Sequence, residues 1–346
     1  MLANRDIMER MKHFQVIGLS MAIIQNGKLS QVEGFGLCEA DGSKSINRET
    51  MFSVCSISKF VTALVVLKLV EQGIVDLDED VNDKLISWKV PNCNLTSIHK
   101  VTLRNLLSHQ SGIEDPAHSF GVFDSSQGIP TMLEILEGRT LYCSEAARIS
   151  HVPGTAFHYS DMGYCVVQQL IEDVTGKAFT QLVRELIFEP LAMKNSRYAS
   201  ETLAGHDVNF ACGHHKNGNV IDNKYCIYPY PSAAGLWSTA SELAQLAIEV
   251  LNTLQDRGKL GISQNTINEM ITAQGCVPWA GLSVFFDQSG RELEMFSLGW
   301  GVGYQCMLKL QPHLGTGAVM MTNSDLGVHQ NEGLIGELMR SIAMVE

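Results

Sequence analysis

Residues 16–36 read V-I-G-L-S-M-A-I-I-Q-N-G-K-L-S-Q-V-E-G-F-G, two strand-like runs that meet at Asn26-Gly27. Asn-Gly accepts the positive φ angles of a tight two-residue turn, so the segment predicts a β-hairpin. A short amphipathic helix is predicted ahead of it, over about 4–14. After Ser56 the run F-V-T-A-L-V-V-L-K-L-V is apolar on every side, which predicts a buried helix reaching Gln72 and closed near Gly73. Helical spacing recurs at 102–108, 129–137, 161–175 and 178–188. In the third of these, Met162, Val166, Val167, Leu170, Ile171 and Val174 form one stripe, and Gly176 closes it. A further helix follows Ser238 or Thr239 as its cap. Strands are predicted at about 294–300, 302–309 and 316–323, and a closing helix from about 331.

Strands therefore gather at both ends and helices in the middle. That order predicts an α/β chain of the α+β type, its sheet assembled from the two termini around an inserted, mostly helical lobe. The expected division is 1–78 and 231–346 for the α/β lobe and 79–230 for the helical lobe. A cleft between lobes is where a ligand is expected.

Composition narrows the function. With 45% hydrophobic and 18% charged residues the chain is an ordinary globular one. Its 37 acidic against 25 basic residues give a net charge of -12, which argues against nucleic acid or an anionic membrane as partner. Nine cysteines occur singly, without a C-x-x-C pair, so neither a disulfide framework nor a zinc site is expected. The His214-His215 pair is not expected to hold a metal either, because adjacent side chains rarely converge. The first residues carry mixed charges in place of a signal peptide's apolar core, and no run reaches the roughly 18 apolar residues of a membrane span. A cytoplasmic location is the expectation.

Three stretches carry candidate chemistry. In S-V-C-S-I-S-K-F, Ser56 and Lys59 are three residues apart, which on a helix brings their Cβ atoms within about 5–6 Å. A serine hydroxyl needs a base to become a nucleophile, and a buried lysine can serve if its proton is made easy to lose. Ser56 at a helix start also offers its N–H to an oxyanion. In H-V-P-G-T-A-F-H-Y-S-D, Tyr159 and Asp161 lie just ahead of a helix, and a phenol beside a cationic lysine can relay a proton. In M-F-S-L-G-W-G-V-G-Y-Q-C, glycines at 299, 301 and 303 mark a strand that must approach another backbone or a ligand closely. Trp300, Tyr304, Tyr228 and Tyr230 are expected near the cleft as an apolar wall.

In this order and spacing, and with L-R-N-L-L-S-H-Q-S-G-I at 103–113, A-A-G-L-W-S-T-A-S-E-L-A at 233–244 and G-A-V-M-M-T-N-S-D at 317–325, the chain resembles the serine β-lactamase and penicillin-binding-protein superfamily. The likeness is to its class C-like branch of esterases, D-amino-acid peptidases and related hydrolases. The resemblance implies an antiparallel sheet flanked by helices. It implies Ser56 as nucleophile, Lys59 as proton acceptor and Tyr159 as the motif phenol. The Ser56 and Trp300 N–H groups would form the oxyanion hole, and Asp161, Ser297, Gly299 and Tyr304 would face the substrate. His109 looks structural.

Two departures bear on substrate choice. Asp161 stands where relatives usually carry asparagine, and an ionised carboxylate there would raise the pKa of Lys59. Ser297 stands where many relatives carry lysine or histidine. A charged hydrogen bond contributes about 1.5–3 kcal/mol against about 0.5–1.5 for a neutral one, so carboxylate-bearing substrates should bind about tenfold more weakly. The resulting expectation is a serine hydrolase acting through an acyl-enzyme on a small ester, amide or peptide, without cofactor or metal. The alternatives are a β-lactamase or D,D-peptidase, an acyltransferase, and a catalytically silent binding protein.

Overall fold

The computed structural model describes residues 4–124, 128–198, 208–287, 289–290 and 292–343. In chain order its strands are β1 (Gly18–Gln25), β2 (Lys28–Gly36), β3 (Phe52–Ser53), β4 (Arg197–Tyr198), β5 (Leu236–Ser238), β6 (Phe285–Asp287), β7 (Glu294–Gly301), β8 (Tyr304–Gln311) and β9 (Thr316–Thr322). Six of them build one antiparallel sheet in the order β2-β1-β9-β8-β7-β6, and the short remainder pair as β3-β5-β4. The two ends of the chain meet at β1 and β9, with Leu19 opposite Thr322 and Ile24 opposite Gly317. The predicted hairpin turn has Asn26 at φ 51° and Gly27 at φ 68°, the left-handed pair that Asn-Gly accepts.

Both faces of the sheet are covered, which is why β1 is apolar almost throughout. Leu19, Met21 and Ile23 pack with Met307, Met320 and the helices Asn4–Phe14 and Leu334–Ala343. Arg10 joins those helices with two hydrogen bonds to the Glu337 carboxylate, at 2.5 and 2.6 Å. Ala22 and Ile24 face the opposite way, into the larger core that contains the helices Ser58–Glu71 and Ala240–Thr253. The Ser58–Glu71 helix has no polar stripe because residues 58–67 are all buried. No helix among the described residues is long and apolar enough to cross a membrane.

The predicted helix over 161–175 forms as Asp161–Thr175, with Ser160 as its cap and Gly176 closing it at φ 65°. Thr239, not Ser238, caps the later helix, since Ser238 belongs to β5. The 129–137 prediction shrinks to Met132–Leu136, and that over 178–188 divides into Phe179–Val183 and a wider turn at Arg184–Phe188. Strands β3 to β6 span two or three residues each, too few for an alternating pattern to register. The β7–β8 turn falls at Val302-Gly303, so the second strand starts two residues later than predicted.

Close contact between β7 and the segment ahead of Ser56 fixes the centre of the molecule. A Cβ on Gly299 would lie 2.1 Å from the Val54 carbonyl oxygen, and one on Gly301 would lie 2.7 Å from Cys55 Sγ. Only glycine lets the strand come this near. Replacing Gly299 with alanine should therefore destabilise the fold by about 1–3 kcal/mol, the usual range for overpacking. Gly121→Ala, where no atom lies within 4 Å of the added carbon, should be close to neutral. Urea unfolding of both variants checks this, and a Gly299→Ala protein as stable as the parent would show that β7 does not press on Val54.

Candidate active site

Ser56 sits in a turn made to present it. The chain leaves β3 at Ser53, passes Cys55 in the left-handed region at φ 49°, and makes a 3-10 turn over Cys55–Ile57 before the Ser58–Glu71 helix begins. Ser58 latches the turn: its hydroxyl donates to the Cys55 carbonyl at 2.7 Å and accepts from the Leu236 N–H at 3.0 Å. The Val54 N–H also reaches the Leu236 carbonyl, at 3.0 Å. Ser56 thus stands in the first turn of a continuous helical stretch, where backbone donors lack an intrahelical partner.

Lys59 lies beneath it, only 2% exposed. Its Nζ donates to Ser56 Oγ at 3.3 Å, to Asp161 Oδ1 at 2.5 Å and to the Ala233 carbonyl at 2.9 Å. Burial by itself would lower the lysine's pKa, but the Asp161 charge and hydrogen bond, with Tyr159 adding, more than reverse this and raise it. The ammonium is therefore charged. Its second environment is aromatic, with Nζ 4.8 Å from the Tyr159 ring centre and 5.3 Å from that of Tyr164. Nearby hydroxyls tie the surrounding segments together: Thr62 donates to the Ser232 carbonyl at 2.7 Å, and Ser232 to the Tyr164 carbonyl at 2.9 Å.

Asp161 is held in turn by a residue that the sequence did not single out. The half-buried Asp115 carboxylate accepts the N–H groups of Asp161 and Met162 and the Ser160 hydroxyl, each at 2.9 Å. A carboxylate at a helix start suits the dipole there. Burial raises the Asp115 pKa most, the Asp161 charge adds to it, and the three hydrogen bonds oppose both. Nothing in the sequence around E-D-P marks this role, because the partners lie 45 to 47 positions away.

Tyr159 closes the group. Its ring is 41% exposed and stacks on His109 at 4.2 Å, while its hydroxyl neighbours both Lys59 and Ser56. Burial on its inner side raises its pKa, Lys59 opposes that and Asp161 reinforces it, so the phenol keeps its proton. His109 takes the Ser160 N–H on Nδ1 at 3.1 Å, and burial followed by the Lys59 charge pushes its pKa well down. It is a neutral platform under Tyr159, consistent with the structural role expected of it.

Across from Ser56 runs the edge of β7. Gly301 pairs with Tyr304 at the turn and Phe296 with Phe285 of β6, so the even-numbered residues direct their N–H groups away from β8. The Trp300 N–H accordingly belongs to the edge that β6 leaves uncovered. The indole of Trp300 faces outward and donates to Asp325 Oδ1 at 2.8 Å. Next to it the Val302 N–H donates to the Tyr228 hydroxyl at 2.9 Å.

The structure brings Ser56, Lys59, Tyr159 and Asp161 together, with β7 and Gly299 against the same turn. It corrects other expectations. Tyr304 does not face a substrate: it is fully buried, and its hydroxyl donates to the Ala211 carbonyl at 2.8 Å. Tyr230 is likewise core, bonded to the Gly121 carbonyl at 2.8 Å. Ser297 is 3% exposed and shares a strand face with Gly299, so it lies enclosed on the side of β7 that packs on Val54. The His214 and His215 side chains part as the sequence suggested, His214 buried between the Ala40 N–H and the Asn323 carbonyl and His215 exposed. Signals for the missed residues were weak, because Ala233 and Leu236 contribute only backbone atoms.

Comparison with known proteins agrees with this geometry. The family profile described as Beta-lactamase matches residues 3–335. Protein flp of Staphylococcus aureus (strain MW2) is 24% identical over 311 residues, covering 88% of this chain; the chain spans only 59% of that protein. Among solved structures, the octameric penicillin-binding protein homologue from Pyrococcus abyssi superposes with a TM-score of 0.77 at 24% identity, over 98% of this chain and 76% of the other. The D-amino acid amidase from Ochrobactrum anthropi SV3, complexed with L-phenylalanine, does so with a TM-score of 0.77 at 20% identity, over 99% of each chain. A match over nearly the whole sequence, together with that shared fold, makes this chain a member of the Beta-lactamase family.

Proposed function

We propose that the protein is a serine hydrolase that cleaves small esters or amides through an acyl-enzyme on Ser56. The observation that carries this reading is the Lys59 ammonium, buried and bonded at once to Ser56 Oγ and to Asp161. The similarity to a D-amino acid amidase supports the substrate class.

A charged lysine cannot take a proton until it gives one away. Lys59 and Asp161 therefore act as one base. As Ser56 Oγ bonds to the substrate carbonyl carbon, its proton passes to Lys59 Nζ, and Nζ passes one of its own to Asp161 Oδ1. The carbonyl oxygen becomes an oxyanion held by the Ser56 and Trp300 N–H groups. When the intermediate collapses, the bond to the leaving group breaks, Tyr159 gives that group its proton, and the pair restores the phenol. Water then repeats the steps in reverse to free the acyl group.

The same ion pair favours a second reading, a catalytically silent binding protein whose lysine is locked. A panel of nitrophenyl esters, D- and L-amino acid amides and a chromogenic cephalosporin separates the two. Ester or amide turnover that disappears in Ser56→Ala supports the hydrolase, fast cephalosporin turnover moves the assignment to a β-lactamase, and inertness toward all of them favours the silent protein.

Three variants test these roles. Tyr159→Phe, partly exposed and able to fold, should lower kcat by about 10²–10⁴, the usual worth of a general acid or base. Lys59→Ala should lose at least as much, and with Asp161 left unpaired it should also lose about 3–5 kcal/mol of stability. Asp161→Asn removes the strongest influence that raises the Lys59 pKa and leaves the burial that lowers it, with Tyr159 opposing that only in part. The variant's kcat/KM should then climb with pH as Lys59 deprotonates, while the parent stays level across that range. Superimposable pH profiles would rule out the pair as the base.

A further inference from the structure

Among the described residues, one group of side chains has the composition and spacing of a metal site, and the hydrolase reading makes no use of it: Glu114, His151 and His158. Their ligand atoms lie within 4.8 Å of one another. His151 Nε2 is 2.7 Å and His158 Nδ1 is 3.2 Å from the same oxygen, Glu114 Oε1. The two imidazole rings lie parallel, 4.1 Å apart, so both present a nitrogen to that oxygen from adjacent layers.

We propose that Glu114, His151 and His158 bind a divalent ion of the zinc type. Zinc holds imidazole nitrogen at about 2.0–2.1 Å and carboxylate oxygen at about 2.0–2.2 Å, which in a tetrahedron sets ligand atoms roughly 3.3 Å apart. The observed separations lie near this value, but parallel rings cannot both aim their in-plane lone pairs at one ion, so one imidazole must swing out of the stack to bind. Two histidines and a carboxylate suit zinc and its neighbours and not magnesium or calcium, which prefer oxygen alone. The side chains are 38%, 40% and 33% exposed, so a fourth position opens to water or to a ligand.

Backbone hydrogen bonds already join the two loops that carry the three residues. The N–H groups of Ser150 and Gly154 bond to the carbonyls of Gly112 and Gln110 at 2.8 and 2.7 Å, and the His158 N–H bonds to the His109 carbonyl at 2.8 Å. Gly112 makes this possible: at φ 78°, a Cβ there would lie 2.1 Å from the His151 carbonyl oxygen. The sequence hid the group because its members come from two loops, and only the adjacent His214-His215 pair drew attention.

The location gives the site its interest. His158 precedes Tyr159, and Glu114 precedes Asp115, whose carboxylate seats the N–H of Asp161. An ion here would clamp together the two loops that carry those residues. Binding does not depend on whether Ser56 is a nucleophile, so the test reads binding alone.

The test titrates the metal-free full chain with Zn²⁺ by calorimetry, and with Co²⁺ followed by its visible absorption. The expected result is one equivalent bound, a rise in Tm with metal concentration, and a Co²⁺ spectrum without a thiolate charge-transfer band. His151→Ala and Glu114→Gln should each weaken binding at least about tenfold, the double variant His151→Ala/His158→Ala should abolish it, and His215→Ala should leave it unchanged. Circular dichroism confirms that each variant is folded. No stoichiometric binding, binding that survives the double variant, or a thiolate band from the cysteines would overturn the proposal.

Discussion

The structure is organised around the buried ammonium of Lys59. Taking an ammonium out of water costs several kcal/mol unless an opposite charge and further acceptors replace the water. Lys59 receives that replacement from three segments far apart in sequence: Ser56 on its own helix, Asp161 at the start of another, and the Ala233 carbonyl. Each must be in position for the lysine to be buried at all. The fold that satisfies Lys59 is consequently the fold that places a serine hydroxyl, a carboxylate and a phenol within reach of one another. Asp115 and His109 extend the same constraint outward, one seating the Asp161 backbone and the other supporting the Tyr159 ring.

Much of this was legible in the sequence wherever the cause is local. The Asn26-Gly27 hairpin, the apolar stripe from Met162 to Val174 and the all-apolar helix after Ser56 depend on neighbours within a few residues, and they formed where the pattern placed them. Ser56 and Lys59 were readable for the same reason, being one helical turn apart. Tyr304 misled because an aromatic beside a glycine-rich strand looks the same whether it faces a cleft or the core; strand alternation and its bond to Ala211 decide that, and the latter is 93 positions distant. Asp115 and the Glu114, His151 and His158 group escaped because their partners are assembled by tertiary structure alone.

The departures from the family pattern acquire a physical meaning. The resemblance implies an asparagine opposite the lysine, whereas this chain places a carboxylate 2.5 Å from Nζ. The lysine's proton is thereby held more tightly, and a second acceptor is supplied for it. Those consequences pull in opposite directions for catalysis, which is why one ion pair supports both a working base and a locked one. At position 297 the resemblance implies a lysine or histidine, whereas this chain has a serine enclosed on the side of β7 that packs on Val54.

Whether Ser56 is a nucleophile is the question on which the functional account rests. Intact-protein mass spectrometry after incubation with a fluorophosphonate, with Ser56→Ala in parallel, answers it most directly. The account predicts addition of one phosphonyl group to the parent protein and none to the variant. An unmodified parent, or equal labelling of the variant, would contradict it.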